Sequence, residues 1–382
     1  MAVRHHHVAE LQSVRGLAAL VVLLHHCLFY FAMPERFHAA AETLLNAHAA
    51  VVAFFVLSGY VLTASIGRTQ LSPVDSTRFI LRRFFRIYPA VWIACLISLA
   101  LLAVIDHDVA VPGRSEWAAK YFLAADGGAK SALLSFAAYG IYLVPPIWSI
   151  TVELLGSILV LGLAIATRGR PVPLGAAILV LAVLSLVLPQ HGRAAVAASY
   201  MVHFAIGAAI PHLVEPVRTR LGLTGARLAA LASLVVMSAF RLVGGWDFTT
   251  AYHAPLPGLV EGLAAALLIT LVVARREAFG WLSRRPFVAL GDISYSLYLL
   301  HFPVMAAVAT VGAVTLGLLI FLSWPLSALA LMAATLAISI PISALTYRWV
   351  ELPGIALGNA ALSALGMQKP RAVAPVAAPA QH

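Results

Sequence analysis

The sequence predicts an all-α polytopic membrane protein with about ten transmembrane helices and both termini in the cytoplasm. Three observations predict it. Apolar residues make up 62% of the 382 and charged residues only 10%, and the mean hydropathy is +0.94. That balance excludes an ordinary soluble domain. Long apolar runs recur along the chain, each approaching the ~20 residues that cross a bilayer. Finally, the basic residues segregate. With the N-terminus inside, only Arg36, Arg114, Lys120, Lys130, Arg193 and Arg241 fall outside, six of the 25 Lys and Arg. This is the positive-inside asymmetry of a membrane protein. The net charge of +10 is therefore topology, and no nucleic-acid partner is needed.

The spans are centred near Leu23, Phe55, Cys95, Ser157, Leu181, Ala205, Val235, Ala265, Leu299 and Leu331. The first, Gln12 to Met33, lacks a small-residue cleavage pattern and is followed by further spans, so it reads as an anchor and not a removed signal. The second contains Ser58-Gly59, a small pair that admits close helix packing or local unwinding. Between the third and fourth, Ser131 to Val144 is apolar but short and ends at Pro145-Pro146, which predicts a partly inserted or interfacial helix. The tenth is the longest and carries Pro325 and Pro341, which predict tilt or kinks. Cys27 and Cys95 lie within spans as small apolar fillers, and no disulfide framework is expected. A short cytoplasmic arm (1–9) precedes the membrane domain (10–352). A cytoplasmic tail (353–382) follows, Pro/Ala-rich and disordered from about Gly366.

Within this apolar frame the ionisable residues need an explanation, because a charge inside the bilayer is costly and marks function by default. Arg15 and His26 are eleven residues apart. They share a helix face to within about 20°, separated by ~16 Å along the axis, and His25 falls roughly 80° away. By depth, His26, Glu153 and His301 all belong to the outer half of the bilayer. A carboxylate and two imidazoles there could form a base with an orienting partner, and neutral histidine suits proton removal from a hydroxyl. The alternative for each is a core residue satisfied by a neighbouring helix. At the cytoplasmic start of the third span, Arg82-Arg83-Phe-Phe-Arg86 places three guanidinium groups within five residues. Their geometry suits phosphate, and lipid phosphate is the competing reading. Ser294, Tyr298 and His301 fall on one helical stripe, which bonds helices together or lines a cavity. The triplet His5-His6-His7 cannot readily converge on one ion, so no metal site is expected.

In this order these segments resemble the membrane acyltransferase 3 family. Gln12-Ser-Val-Arg15 through His26 is similar to its opening motif, and Phe54-Phe-Val-Leu-Ser58-Gly59-Tyr60 to its FFxxSGF element. Arg83 and Arg86 match its RxxR block, Trp148-Ser149-Ile-Thr-Val-Glu153 its WSLxxE segment, and Gly291 through His301 its GxxSYxxYLxH helix. The match covers about residues 10 to 352. Tyr60 stands where Phe is commoner, and Leu154-Leu155-Gly156 follow Glu153 where many members have a second acid and aromatics. The resemblance implies a bacterial-type inner-membrane protein that moves an acyl group, commonly acetyl, from cytoplasmic acyl-CoA to a hydroxyl of a glycan or glycolipid. It implies a catalytic role for His26 and donor contacts from Arg15, Arg83 and Arg86. Joined to the depth argument, it makes Glu153 the partner that orients His26, as a carboxylate supports histidine in other acyl-transfer sites. Ser58, Tyr60, Trp148, Ser149, Tyr298 and His301 become candidate substrate contacts. No resident cofactor is implied, since acyl-CoA enters as a substrate. The alternative is a transporter or flippase for a lipid-linked sugar or anion with a His/Glu proton relay. That reading predicts pseudo-symmetric halves or midplane broken helices, neither of which is evident in the sequence.

Overall fold

The computed structural model describes residues 9–67, 71–105, 111–121, 128–188, 192–246, 251–316 and 323–367. The His5-His6-His7 arm and the tail beyond Met367 lie outside the described residues. Among those described, every regular element is helical, and extended pairing is limited to an isolated bridge between Phe31 and Arg114. In chain order the helices are α1 (Ala9–Phe29), α2 (Glu35–Leu44), α3 (Ala47–Ile66), α4 (Pro73–Val104), α5 (Glu116–Tyr121), α6 (Gly128–Phe136), α7 (Ile147–Thr167) and α8 (Pro171–Val187). There follow α9 (Arg193–Ser199), α10 (Met201–Arg220), α11 (Leu223–Val243), α12 (Pro255–Ala274), α13 (Arg285–Asp292), α14 (Ser294–Val311), α15 (Trp324–Thr346) and α16 (Leu352–Ala364).

Each of the ten expected span centres falls in a helix, but the count needs correction. Nine helical stretches among the described residues are long and apolar enough to cross a bilayer. The centre at Leu181 belongs to α8, which has 17 residues. Pro171 in its first turn and extended backbone at Leu188 hold it to ~26 Å at 1.5 Å per residue. The segment from Ser131 contributes only the end of the nine-residue α6, Gly128–Phe136, too short to span. In the last span Pro325 occupies the first turn, where its missing donor costs nothing, while Pro341 lies inside α15. A π-helical turn, Tyr347–Glu351, then leads into α16, giving a continuous helical stretch of 41 residues.

Two close approaches set the interior. The ninth span is α14, starting at Ser294; Ile293, still in the right-handed helical region, separates it from α13. α13 docks closely on α1. A Cβ at Gly291 would lie 2.1 Å from the Gln12 carbonyl oxygen, so only glycine lets the two backbones meet. This brings the first turns of α14 beside Arg15. The second approach joins α3 to α10, where a Cβ at Gly59 would lie 2.1 Å from the Phe204 oxygen. Of the two options offered by Ser58-Gly59, close packing is the one realised, and α3 runs unbroken. Apolar side chains from α3, α4, α7, α10 and α14, including Phe55, Val91, Ile147, Phe204 and Leu299, fill the core around this frame.

Candidate functional site: a guanidinium-lined cavity and a histidine pair

Helix alternation divides the molecule into two ends. The start of α1, the start of α4 and the α15–α16 junction lie at one end; the end of α1 and the starts of α3, α7, α10 and α12 lie at the other. A cavity of about 140 Å³ lies toward the first end, lined by Arg15, Ser58, Arg83, Arg86, Glu153 and Tyr295 among others. A smaller one, about 40 Å³, shares Arg15, Phe54, Ser58, Glu153 and Tyr295 with it and continues to Ser149, Ser294 and Tyr298. The two cavities adjoin through these shared walls and follow one another toward the second end; neither is lined by His26 or His301.

The three cavity arginines are held differently. Arg83 donates from Nη2 to Glu153 Oε1 at 2.6 Å and from Nε to Ser157 Oγ at 3.1 Å. Arg86 donates from Nη1 to Glu351 Oε2 at 2.8 Å, and the other Glu351 oxygen accepts from Ser296 Oγ at 2.5 Å. Arg15 donates to the amide oxygen of Gln12 at 3.2 Å. Three guanidinium groups thus line a cavity with one carboxylate, Glu153, while Glu351 holds Arg86 from outside that lining, leaving an excess of positive charge that suits an anion. Arg82 is exposed and does not join them, so the basic block divides into two inward residues and one outward.

Further along the passage, Ser149 Oγ and Tyr298 Oη are 2.8 Å apart. The serine hydroxyl donates to the Pro146 carbonyl at 2.9 Å, so the tyrosine is the donor between them. One turn beyond Tyr298 is His301, whose Nε2 lies 2.8 Å from His26 Nδ1. Hydrogen-bond bookkeeping fixes both tautomers. His301 Nδ1 faces the Leu297 carbonyl at 3.1 Å and must carry a hydrogen, so its Nε2 accepts from His26 Nδ1–H. This leaves His26 Nε2 with a free lone pair. The rings of Trp117 and Phe302 stand 5.2 and 5.3 Å from that imidazole. His26 packs against protein.

One expectation about these residues is overturned. Glu153 does not orient His26. Its carboxylate is drawn to Arg83 near the middle of the bundle, because Arg83 lies ten residues into α4 while Glu153 lies six residues into α7 from the opposite end. The neighbour of His26 is His301. Among the candidate substrate contacts, Ser58, Ser149 and Tyr298 line the passage. Tyr60 points away into the apolar cluster around α10 and α12, and Trp148 lies beside Phe55, Tyr200, Tyr252 and His253 at the second end.

Sequence reasoning missed several residues. Tyr295 lines both cavities, its hydroxyl donating to the Ile87 carbonyl at 3.0 Å, and Glu351 holds Arg86. His25 pairs with Glu42 at 3.1 Å, and a separate buried network joins His48, Glu261 and Arg241. The signal was present for Arg241 and Glu261: each is a charge at an apolar helix, the argument already applied to Arg15. Arg241 was instead counted as a loop charge, though it lies inside α11 with no side-chain exposure.

Comparison with known proteins agrees with this architecture. The model of an acyltransferase domain, that of the acyltransferase 3 family, matches residues 8–344. The chain belongs to this family and is a multi-pass membrane protein with helical spans. It is also similar to the "Putative membrane-bound transacylase BcsY" of Komagataeibacter xylinus, with 26% identity over 376 residues, covering 92% of this chain and 84% of that protein. No solved structure matches.

Proposed function

We propose that the protein is an O-acyltransferase that takes an acyl group, commonly acetyl, from acyl-CoA on the cytoplasmic side and delivers it to a hydroxyl of a glycan or glycolipid. The observation that carries this reading is the pair of adjoining cavities, with Arg15, Arg83 and Arg86 at one end and, one helical turn past Tyr298 at the other, the His26–His301 pair. In this reading the N-terminal side faces the cytoplasm, as the Lys/Arg asymmetry requires. The CoA phosphates settle against Arg15, Arg83 and Arg86, displacing Glu153 and Glu351, and the thioester arm extends past Ser58 toward Tyr298.

His26 Nε2 then removes the proton from the acceptor hydroxyl. The oxygen attacks the thioester carbon, a C–O bond forms, and the C–S bond breaks. The sulfur leaves with the proton that His26 acquired. His301 holds the imidazole of His26 in the tautomer that can accept, which is the work expected earlier of Glu153. Tyr298, released from Ser149, donates to the oxygen that becomes negative in the tetrahedral intermediate.

Calorimetric titration of CoA into the purified protein, repeated with Arg83→Ala and Arg86→Ala, tests the donor end. Saturable binding lost in the variants is expected. A protein that moves a lipid-linked sugar without binding CoA would show neither, and that result would overturn the proposal.

A further inference from the structure

At the second end, next to the passage, lies a buried network that acyl transfer as described does not use. Arg241 and Glu261 are both fully buried and pair at 2.7 Å, and Asn46 adds a donor to the same carboxylate at 3.1 Å. Such a pair is costly to desolvate and seldom repays its cost in stability alone. It does impose position. Arg241 donates to the carbonyls of Ala251 and Tyr252 at 2.8 and 3.1 Å, which fixes the backbone immediately before His253.

A single direction of hydrogen bonding runs outward from Glu261. His48 Nδ1 lies 2.5 Å from Glu261 Oε2, so that nitrogen carries the hydrogen. It therefore has no lone pair for Arg241 Nη2, which lies 3.0 Å away. His48 Nε2 must accept, and Tyr200 Oη donates to it at 2.8 Å. With its hydrogen committed, Tyr200 Oη accepts from His253 Nδ1–H, also at 2.8 Å. The outcome is a His253 ring whose Nε2 is an acceptor. That ring is only partly buried.

Aromatic walls surround it. The Trp148 ring stands 5.5 Å from the His253 ring at 80°, and Tyr252 stands 4.9 Å from it at 89°. Aromatic faces beside one fixed hydrogen-bonding group make a surface for a ligand with an apolar face and hydroxyls at its edge, which describes a pyranose ring. Ser149, adjacent to Trp148 in sequence, lines the passage, so such a ligand would abut it.

We propose that His253, Trp148 and Tyr252 form a carbohydrate subsite, in which His253 Nε2 accepts from a sugar hydroxyl and the chain through Tyr200, His48 and Glu261 sets its tautomer. Tyr200, His48 and Glu261 are positioning residues. The sugar class rests on the acyltransfer reading above, whereas the direction of the hydrogen bonds does not. Burial, and then the nearby His48 and Arg241, holds the His253 imidazole down to about 4, so the ring is neutral near pH 7.

The test uses the full-length protein in lipid nanodiscs, titrated calorimetrically with cellobiose, maltose and lactose and, separately, with CoA. Saturable binding of at least one disaccharide is expected, weakened tenfold or more in His253→Ala and Trp148→Ala, with CoA affinity within twofold of wild type. His253→Gln, whose amide oxygen can accept in place of Nε2, should bind within threefold of wild type. Tyr200→Phe should fall between the two His253 variants. Unchanged sugar binding in His253→Ala, or no sugar binding by wild type, overturns the subsite. Sugar binding that depends on His253 in a protein that binds no CoA supports the subsite and overturns the acyltransfer reading.

Discussion

His301 accepts a hydrogen bond from His26 at 2.8 Å while committing its own Nδ1–H to the Leu297 carbonyl. The backbone of α14 thereby dictates the protonation pattern of a side chain on α1.

This relationship makes the two histidines unequal. His26→Ala should lower the acyl-transfer rate by roughly 10²-fold or more, the usual worth of a positioned base. His301→Gln, which retains an acceptor for His26 Nδ1–H, should lose much less. Transfer rates at saturating acetyl-CoA, with membrane insertion checked for each variant, provide the measurement. Equal losses in both would mean that His301 does more than orient.

Glu153 gives a prediction with the opposite sign. If its carboxylate occupied the place beside His26, Glu153→Gln would depress catalysis. Paired instead with Arg83 at 2.6 Å, the same substitution should release the guanidinium and tighten CoA binding by about twofold to fivefold. That range follows from the modest worth of a partly exposed ion pair. Titration of CoA into the variant decides the matter; weaker binding would contradict the assignment.

The Arg241–Glu261 pair predicts a stability effect. Arg241→Ala should destabilise by about 3–5 kcal/mol, because it leaves a buried carboxylate without its cation. Replacing both residues by methionine should restore much of that loss. Thermal unfolding in one detergent compares the three proteins.

His253 predicts a pH dependence. Its pKa in the fold, about 4, lies below the ordinary histidine value of about 6.5. Above that ordinary value the ring is neutral in both folded and unfolded chains, so it contributes no slope. As pH falls from about 6.5 to 4 the unfolded chain takes up the proton first, and stability is lost across that window. Unfolding temperatures of wild type and His253→Gln should therefore converge as pH falls toward 4, from a wild-type advantage at neutral pH. A constant difference would show that the group does not titrate as described. The charged and titratable groups facing it are Tyr200, hydrogen-bonded to its Nδ1, with His48, Arg241 and Tyr252.

Gly291→Ala probes the frame. A Cβ would collide with the Gln12 backbone, and relieving the clash should cost about 1–3 kcal/mol. It should also weaken CoA binding, since α13 would move away from the helix that carries Arg15. A drop in unfolding temperature without loss of CoA affinity would separate packing from the site.

Much of this was legible because a bilayer makes polarity conspicuous. Arg15, His26 and His301 stand out against apolar neighbours, and helical spacing relates them along α1 and α14. Depth was less reliable for Glu153. Counting residues from a helix end assigns a level along one axis, but a guanidinium on a long side chain chooses its carboxylate by reach across the bundle. The partnership of Arg86 with Glu351 was illegible for a related reason, since 265 residues separate them and no local pattern joins the two. His48 was overlooked because a histidine at a helix start has an ordinary explanation, and its pairing with Glu261 depends on how α12 packs against α3.

The carboxylates on Arg83 and Arg86 have a consequence for life inside a bilayer. Bare guanidinium groups inside such a bundle would attract any small anion that reached them. Glu153 and Glu351 stand as built-in competitors, so a single weak anion gains little by exchanging with either. On the acyltransfer reading, a donor carrying several phosphates gains more by replacing both than a single weak anion does, so the resting site would discriminate by valence before any fit of shape is tried.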